Sequence, residues 1–231
     1  MMTEKIKVVA FDADDTLWDN QTYFDEAETR FCSIMSGYGE EGFLRKELFS
    51  TEMKNMDSLG YGVMAFTLSM IETALRLSGN TIPAGRISEI YGIGRDLLRN
   101  PAVPLPGVEE TLATIRMTRP YRTIVITKGN TTDQENKLER SGLKRFFSHI
   151  EIVPDKTEKA YREIIDALGI DASELLMVGN SFKSDIAPVL ALGGYGVHIP
   201  AKSTWQHEII EEFDHPNLFR LKDFRDLVSI L

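Results

Sequence analysis

The sequence predicts an α/β protein, a doubly wound parallel sheet carrying a helical segment inserted after its first strand. Three observations carry that expectation. Short, continuously apolar, β-rich runs recur along the chain, as strands buried on both faces do. Stretches with apolar residues at three- and four-residue intervals separate them, which is the alternation of βαβ units. Residues 19–105, between the first run and the second, contain no convincing strand.

Taken in order, KVVAF (7–11) is the first strand. The long connection that follows has amphipathic stretches at FDEAETRFCSIM (24–35) and MAFTLSMIETALRL (64–77), with Gly60, Gly62 and Gly79 at helix ends or turns. It returns through NPAVPLPG (100–107), whose three prolines make a stiff re-entry. Residues 1–18 and 106–231 are therefore expected to form the sheet domain. Residues 19–105 would form a helical insertion with its own small core, hung on two hinges near 18 and 105. Most of the insertion's apolar residues are simply its packing. VEETLATIRM (108–117), NKLERSGLKRFF (136–147) and YREIIDALGI (161–170) read as crossover helices between the strands RTIVIT (122–127), HIEIV (149–153), ELLMVG (174–179) and YGVHI (195–199).

The bulk numbers bound the function. With 231 residues, 42% of them hydrophobic, the chain has ample core material for one large domain or one with an insertion. A net charge of −9 argues against a broad phosphate-neutralising surface, and so against nucleic acid as the main partner. The lone Cys32 excludes an internal disulfide and fits a reducing cytosol. The opening apolar run is too brief for a secretory signal or a membrane span, so a cytoplasmic protein without membrane partners is expected.

In open α/β sheets the reactive groups lie beyond the carboxyl ends of the strands. Those positions hold Asp12, Asp14, Asp15 and Thr16 after the first strand, and Thr127, Lys128, Gly129 and Asn130 at the second. Asp155 and Lys156 follow the third, and Gly179, Asn180, Ser181 and Asp185 the fourth. This inventory suits phosphoryl chemistry: a carboxylate nucleophile, an acid, a hydroxyl donor, an ammonium, and further carboxylates for a hard cation. Carboxylates crowded at the end of an apolar run repel one another and need a counter-charge. Asp12 and Asp185, with a backbone carbonyl near Asp14, would supply oxygen ligands to Mg²⁺, and the ion and Lys156 would offset the repulsion. Asp12 would then attack phosphorus while Asp14 protonates the leaving oxygen and afterwards activates water. Thr127, Lys128 and Lys156 would hold the phosphate oxygens. The bland alternative, that Asp12 and Asp14 cap a helix or sit in a solvated loop, loses ground because their companions appear in order at successive strand ends.

These residues resemble the haloacid dehalogenase superfamily, and among it the phosphatases. DADDT (12–16) resembles its first motif, VITKGN (125–130) its second, Lys156 its third and GNSFKSD (179–185) its fourth, together covering residues 7–200 apart from the insertion. The resemblance implies a Rossmann-like core, Mg²⁺ dependence, Asp12 as nucleophile, Asp14 as general acid/base, and residues 19–105 as a helical cap closing over the substrate. The substrate would be a small phosphorylated metabolite, hydrolysed through an aspartyl-phosphate.

Two departures from the family pattern stand out. Asp15 takes a place common for Gly, at a turn calling for a left-handed backbone that Asp tolerates better than most residues. Asn180 takes a place frequent for an acid, leaving an amide as ligand or supporting acceptor and shifting coordination towards Asp185. PDKTEKAY (154–161) offers both Lys156 and Lys159 as the third-motif lysine, and Lys156 is nearer the strand end. Trp18 and Tyr23 read as packing at the junction, His198 as an ordinary buried or rim histidine, Cys32 as an apolar filler, and the acid-rich EIIEEFDH (208–215) as a solvated face. Asp14 argues against a dehalogenase, which needs no acid at that position. A phosphomutase shares every motif. A phosphate-binding module of receiver type, or a catalytically idle relative, is opposed by the chain length, the insertion and a carboxylate suited to activating water.

Overall fold

The computed structural model describes residues 5–118 and 120–231. In chain order it has β1 (Val8–Phe11), then four helices, α1 (Gln21–Ile34), α2 (Glu41–Leu59), α3 (Val63–Leu77) and α4 (Ala84–Leu97). There follow α5 (Val108–Thr118), β2 (Arg122–Lys128), α6 (Thr131–Arg140), β3 (His149–Val153), α7 (Glu158–Leu168) and β4 (Leu175–Gly179). The chain ends with α8 (Ala187–Ala191), β5 (Tyr195–His198), β6 (Leu218–Arg220) and α9 (Leu227–Ile230). The strands form one six-stranded sheet, parallel throughout, in the order β3-β2-β1-β4-β5-β6.

The alternation of side chains along β1 explains the double winding. Val8 and Ala10 pack in one layer with Ile124, Met177 and, from α7, Tyr161 and Ile165. Val9 and Phe11 pack in the opposite layer with Leu112 and Ile115 of α5, Phe224 and Leu227. Both faces of the sheet are thus dry, so its inner strands read as unbroken apolar runs. The predicted doubly wound α/β class is the one observed.

Two details differ from expectation. NKLERSGLKRFF is not one helix: α6 ends at Arg140, and Gly142, with φ 68°, turns the chain into a separate single 3₁₀ turn, Leu143–Phe146. The sixth strand was not anticipated, because three residues are too few to show a period.

The chain divides into two compact units. One comprises the residues up to Gln21 with Pro101–Lys128 and Gln134–Leu231; the other comprises Thr22–Asn100 with Gly129–Asp133. The expected hinge positions near 18 and 105 belong to the first unit and are knitted together there. Leu105 N donates to the Leu17 carbonyl (2.9 Å), and Trp18 bridges to Pro104. The second unit has its own core of Phe31, Met35, Leu44, Leu48, Met70 and Ile90, all fully buried. At about 1.5–3 kcal/mol per buried side chain of this size, that cluster gives the helices their stability. Among the described residues no helix is long and apolar enough to cross a membrane.

Candidate active site

The site is built where the strand order reverses, between β1 and β4. Asp12 extends the β1 ladder, its N–H donating to the Val178 carbonyl (2.9 Å), which holds the residue at that point. Thr16, one turn further on, donates its hydroxyl to Asp12 Oδ2 (2.9 Å). Beyond β4 the chain enters a π-helical turn, Phe182–Ile186, which delivers Asp185. Lys156, beyond β3, reaches across the strand ends and donates its ammonium to Asp12 Oδ1 (2.5 Å) and Asp185 Oδ1 (2.7 Å). Its side chain is only 1% exposed, whereas that of Lys159 is 84% exposed beside Glu163.

Gly179 makes room for this arrangement. A Cβ there would lie 2.2 Å from Asp185 Oδ2, inside any permissible contact, so the end of β4 must be bare for the Asp185 carboxylate to lie across it. The Ser181 N–H then donates to that same oxygen (2.9 Å).

Two buried carboxylates share a single ammonium. Burial pushes Asp12 from 3.8 to about 7, with Lys156 opposing the rise and Asp185 adding to it. For Lys156, burial favours the neutral amine, but the two aspartates outweigh it and hold the ammonium charged. The cluster is therefore one positive charge short. Its donors, two carboxylates and the nearby Asp14 carbonyl, are hard oxygens of the kind that bind Mg²⁺ together with water and substrate phosphate, so these residues fit that ion. Among the described residues no three His, Cys, Asp or Glu side chains form a ready cage, and Mg²⁺ does not require one.

Asp14 is held quite differently from Asp12. Lys137 Nζ donates to both its carboxylate oxygens (2.7 Å each), Gln134 Nε2 to Oδ2 (2.8 Å) and Trp18 Nε1 to Oδ1 (2.7 Å). Burial would raise its pKa, but Lys137 and these hydrogen bonds prevail and hold it below the ordinary value. With both oxygens engaged, the backbone carbonyl is what Asp14 has to offer a cation. Asp15 adopts the anticipated left-handed conformation, φ 65°. Its carboxylate accepts from the N–H groups of Asn20 (2.8 Å) and Gln21 (2.7 Å), while burial still pushes it up to about 7. Asn180 turns its amide to satisfy both ends when the nitrogen donates to Thr16 Oγ1 (3.0 Å), Asp12 Oδ2 (3.2 Å) and the Asp14 carbonyl (3.2 Å). It thus stands among these oxygens as a donor, where an acceptor had been expected.

Thr127 is buried at the end of β2, and Lys128 follows it. Lys128 Nζ donates to Glu208 Oε1 (2.5 Å) and Ser184 Oγ (2.9 Å). Glu208 also accepts from the hydroxyls of Ser181 and Ser184 (2.5 Å each). This corrects the reading of EIIEEFDH as a wholly solvated face. Residues 209–214 are exposed, but Glu208 is buried. Burial alone would raise its pKa, yet Lys128 and the hydrogen bonds bring it down to about 2. His198 is buried, with Nε2 3.0 Å from the Asn180 carbonyl oxygen. Trp18 is fully buried.

Sequence reasoning missed Gln134, Lys137 and Glu208. The first two lie three apart on a polar helix, and in a stretch so rich in charge no signal marked them as buried. Glu208 had none, being one acid among several.

A parallel α/β sheet with paired acids and a lysine at its switch point defines a class of hydrolytic and group-transfer enzymes. The chain belongs to the haloacid dehalogenase-like hydrolases, whose family profile it matches over residues 6–193. It is 30% identical to a glyceraldehyde 3-phosphate phosphatase from Methanothermobacter thermautotrophicus, over 78% of this chain and 80% of that protein. A protein of the same name from Pyrococcus abyssi is 29% identical, over 78% and 76%. Among solved structures, a haloacid dehalogenase-like family hydrolase from Xanthomonas campestris superposes with a TM-score of 0.87 at 37% identity, covering 98% of this chain and 91% of that one.

Proposed function

We propose that this hydrolase is a Mg²⁺-dependent phosphatase acting on a small phosphorylated metabolite through an aspartyl-phosphate. The observation that carries it is the contrast between two aspartates two residues apart. Asp12 shares Lys156 with Asp185, whereas Lys137 donates to both oxygens of Asp14. The phosphatases among its relatives support the phosphomonoester, and a three-carbon sugar phosphate is the first substrate to try.

In the first half-reaction an Asp12 oxygen bonds to phosphorus as the bond to the leaving oxygen breaks, and that oxygen takes a proton from Asp14. In the second, water attacks phosphorus, its proton passes to Asp14, and the bond to Asp12 breaks to release orthophosphate. Asp14 ends protonated, as it began. Its surroundings favour the charged form, which suits the water-activating half most directly. Thr127 and Lys156 are assigned to the phosphate oxygens, with Lys128 beside them. Asp12, Asp185 and the Asp14 carbonyl would hold Mg²⁺. When bound, the ion supplies the missing positive charge, so that an anionic oxygen can approach an anionic phosphate. Asn180, Ser181, Thr16 and Asp15 orient these groups. The helical insertion is assigned the role of cap, contacting the non-reacting part of the substrate.

The test is phosphate release from glyceraldehyde 3-phosphate, p-nitrophenyl phosphate and a panel of phosphorylated metabolites, with Mg²⁺ and with EDTA. Turnover that EDTA abolishes and Asp12→Ala eliminates is expected. Full activity in a folded Asp12→Ala protein would remove the mechanism.

A further inference from the structure

Asp14 has a seat constructed for it from two separate segments. Trp18 comes from the loop after β1, and Gln134 and Lys137 are successive residues on one face of α6, at i and i+3. All three seating side chains are buried: Trp18 is fully buried, and Gln134 and Lys137 are 5% and 3% exposed. Burying a lysine is costly unless it meets a carboxylate, and this one meets both oxygens of Asp14 at 2.7 Å. Lys137 Nζ also lies 3.4 Å from Asn20 Oδ1. Gln134 also donates to the Lys128 carbonyl (3.2 Å), tying α6 to the end of β2. Four donor contacts fix both the rotamer and the plane of one carboxylate, far more than stability at a partly exposed aspartate calls for.

We propose that Lys137, seconded by Gln134 and Trp18, is a positioning residue for proton transfer. It holds the Asp14 carboxylate off the Asp12–Asp185 pocket and aims it at the leaving oxygen and then at the attacking water. Lys137 keeps its own protons throughout; the proton that moves is the one exchanged between Asp14 and the leaving oxygen or water. This rests on the phosphatase reading above and adds to it a residue that never touches substrate.

The role is separable from simple structural support by the leaving group. p-Nitrophenolate departs without a proton, so formation of the aspartyl-phosphate should tolerate a misplaced Asp14, whereas hydrolysis of the intermediate should not. The experiment uses the full chain with Mg²⁺, comparing wild type, Lys137→Met and Lys137→Arg by rapid quench. For Lys137→Met with p-nitrophenyl phosphate, a burst of nitrophenolate approaching one per active site is expected. A steady state at least tenfold slower than wild type follows, with phosphoenzyme trapped by acid. With a sugar phosphate, whose leaving oxygen needs the proton, the burst should vanish and kcat should fall at least as far, with KM within about threefold. Lys137→Arg should recover part of the rate. Should Lys137→Met fail to fold, Gln134→Met carries the same comparison with a smaller effect. The proposal is overturned if folded Lys137→Met turns over both substrates as wild type does, or loses burst and steady state in equal proportion. Wild type inactive on every phosphate ester would instead overturn the phosphatase reading.

Discussion

Measuring stability against pH in the metal-free protein tests the charge shortage at Asp12. In the folded chain Asp12 is pushed up from 3.8 to about 7, so the native state holds that proton more tightly than the unfolded chain does. The contribution to stability is fully present below the unfolded value and is lost as pH rises through the folded one. The interval is about three pH units, and at ~1.4 kcal/mol per unit it sets a ceiling of about 4 kcal/mol. Asp15, also pushed to about 7 by burial, acts in the same direction. His207 lies below its ordinary value because of burial and Lys183, and it acts oppositely in the same window. The informative quantity is therefore the difference between wild type and Asp12→Asn. Urea unfolding in EDTA, followed by circular dichroism from pH 5 to 8, should show Asp12→Asn gaining on wild type by up to about 3 kcal/mol as pH rises. Mg²⁺ added to wild type at pH 8 should close most of that gap. Parallel profiles for the two proteins would mean that Asp12 carries no uncompensated charge, and the reason for a cation at this site would go with it.

Further outcomes follow from single contacts. Gly179→Ala places a methyl 2.2 Å from Asp185 Oδ2, so Asp185 must leave its position; a loss of kcat of about 10²-fold or more is expected in a protein that still unfolds cooperatively. Lys156→Met leaves two buried carboxylates without their ammonium and should cost about 3–5 kcal/mol in urea unfolding at pH 8, while Lys159→Ala should leave turnover and stability unchanged. Glu208, held near 2 against an ordinary 4.5, contributes stability that is present above pH 4.5 and lost as pH falls towards 2. Glu208→Gln should accordingly be less stable than wild type at pH 7, by up to about 3 kcal/mol, and the difference should shrink on acidification. Equal destabilisation at pH 3 and pH 7 would show that Glu208 acts by shape alone.

What the sequence revealed and what it hid have separate physical origins. Strands buried on both faces have to be apolar throughout, so β1, β2, β4 and β5 were legible, the edge strand β3 by its alternation of apolar and polar residues, and with their carboxyl ends Asp12, Lys156 and Asp185. The left-handed turn at Asp15 was legible through the family resemblance, which commonly has Gly at that place. Lys137 and Glu208 were hidden, since a buried charge looks like an exposed one until its partner is known, and their partners lie 123 and 80 residues away along the chain. The break after α6 was hidden as well. Leu143 and Phe146 continue an apolar spacing that suits a helix, and only Gly142 speaks against it.

The arrangement of lysines explains how an acidic protein can hold four acids around one sheet edge and still single out a nucleophile. Three ammonium groups arrive from three places: Lys137 from α6, Lys128 from the end of β2, and Lys156 from beyond β3. Lys137 meets both oxygens of Asp14, and Lys128 goes largely to Glu208 with help from Ser181 and Ser184. Lys156 alone is divided between two buried carboxylates, Asp12 and Asp185. Among the acids that pair with a lysine the deficit of positive charge is thereby confined to Asp12 and Asp185, and Asn180 keeps it from growing, since it stands beside Asp12 as an amide rather than as another carboxylate. A carboxylate fully matched to its own cation is a poor nucleophile and a poor ligand, because its lone pairs are already committed. Of the two acids that share Lys156, Asp12 is the one that the β1 ladder fixes at the switch point of the sheet, so position and electrostatics select the same residue.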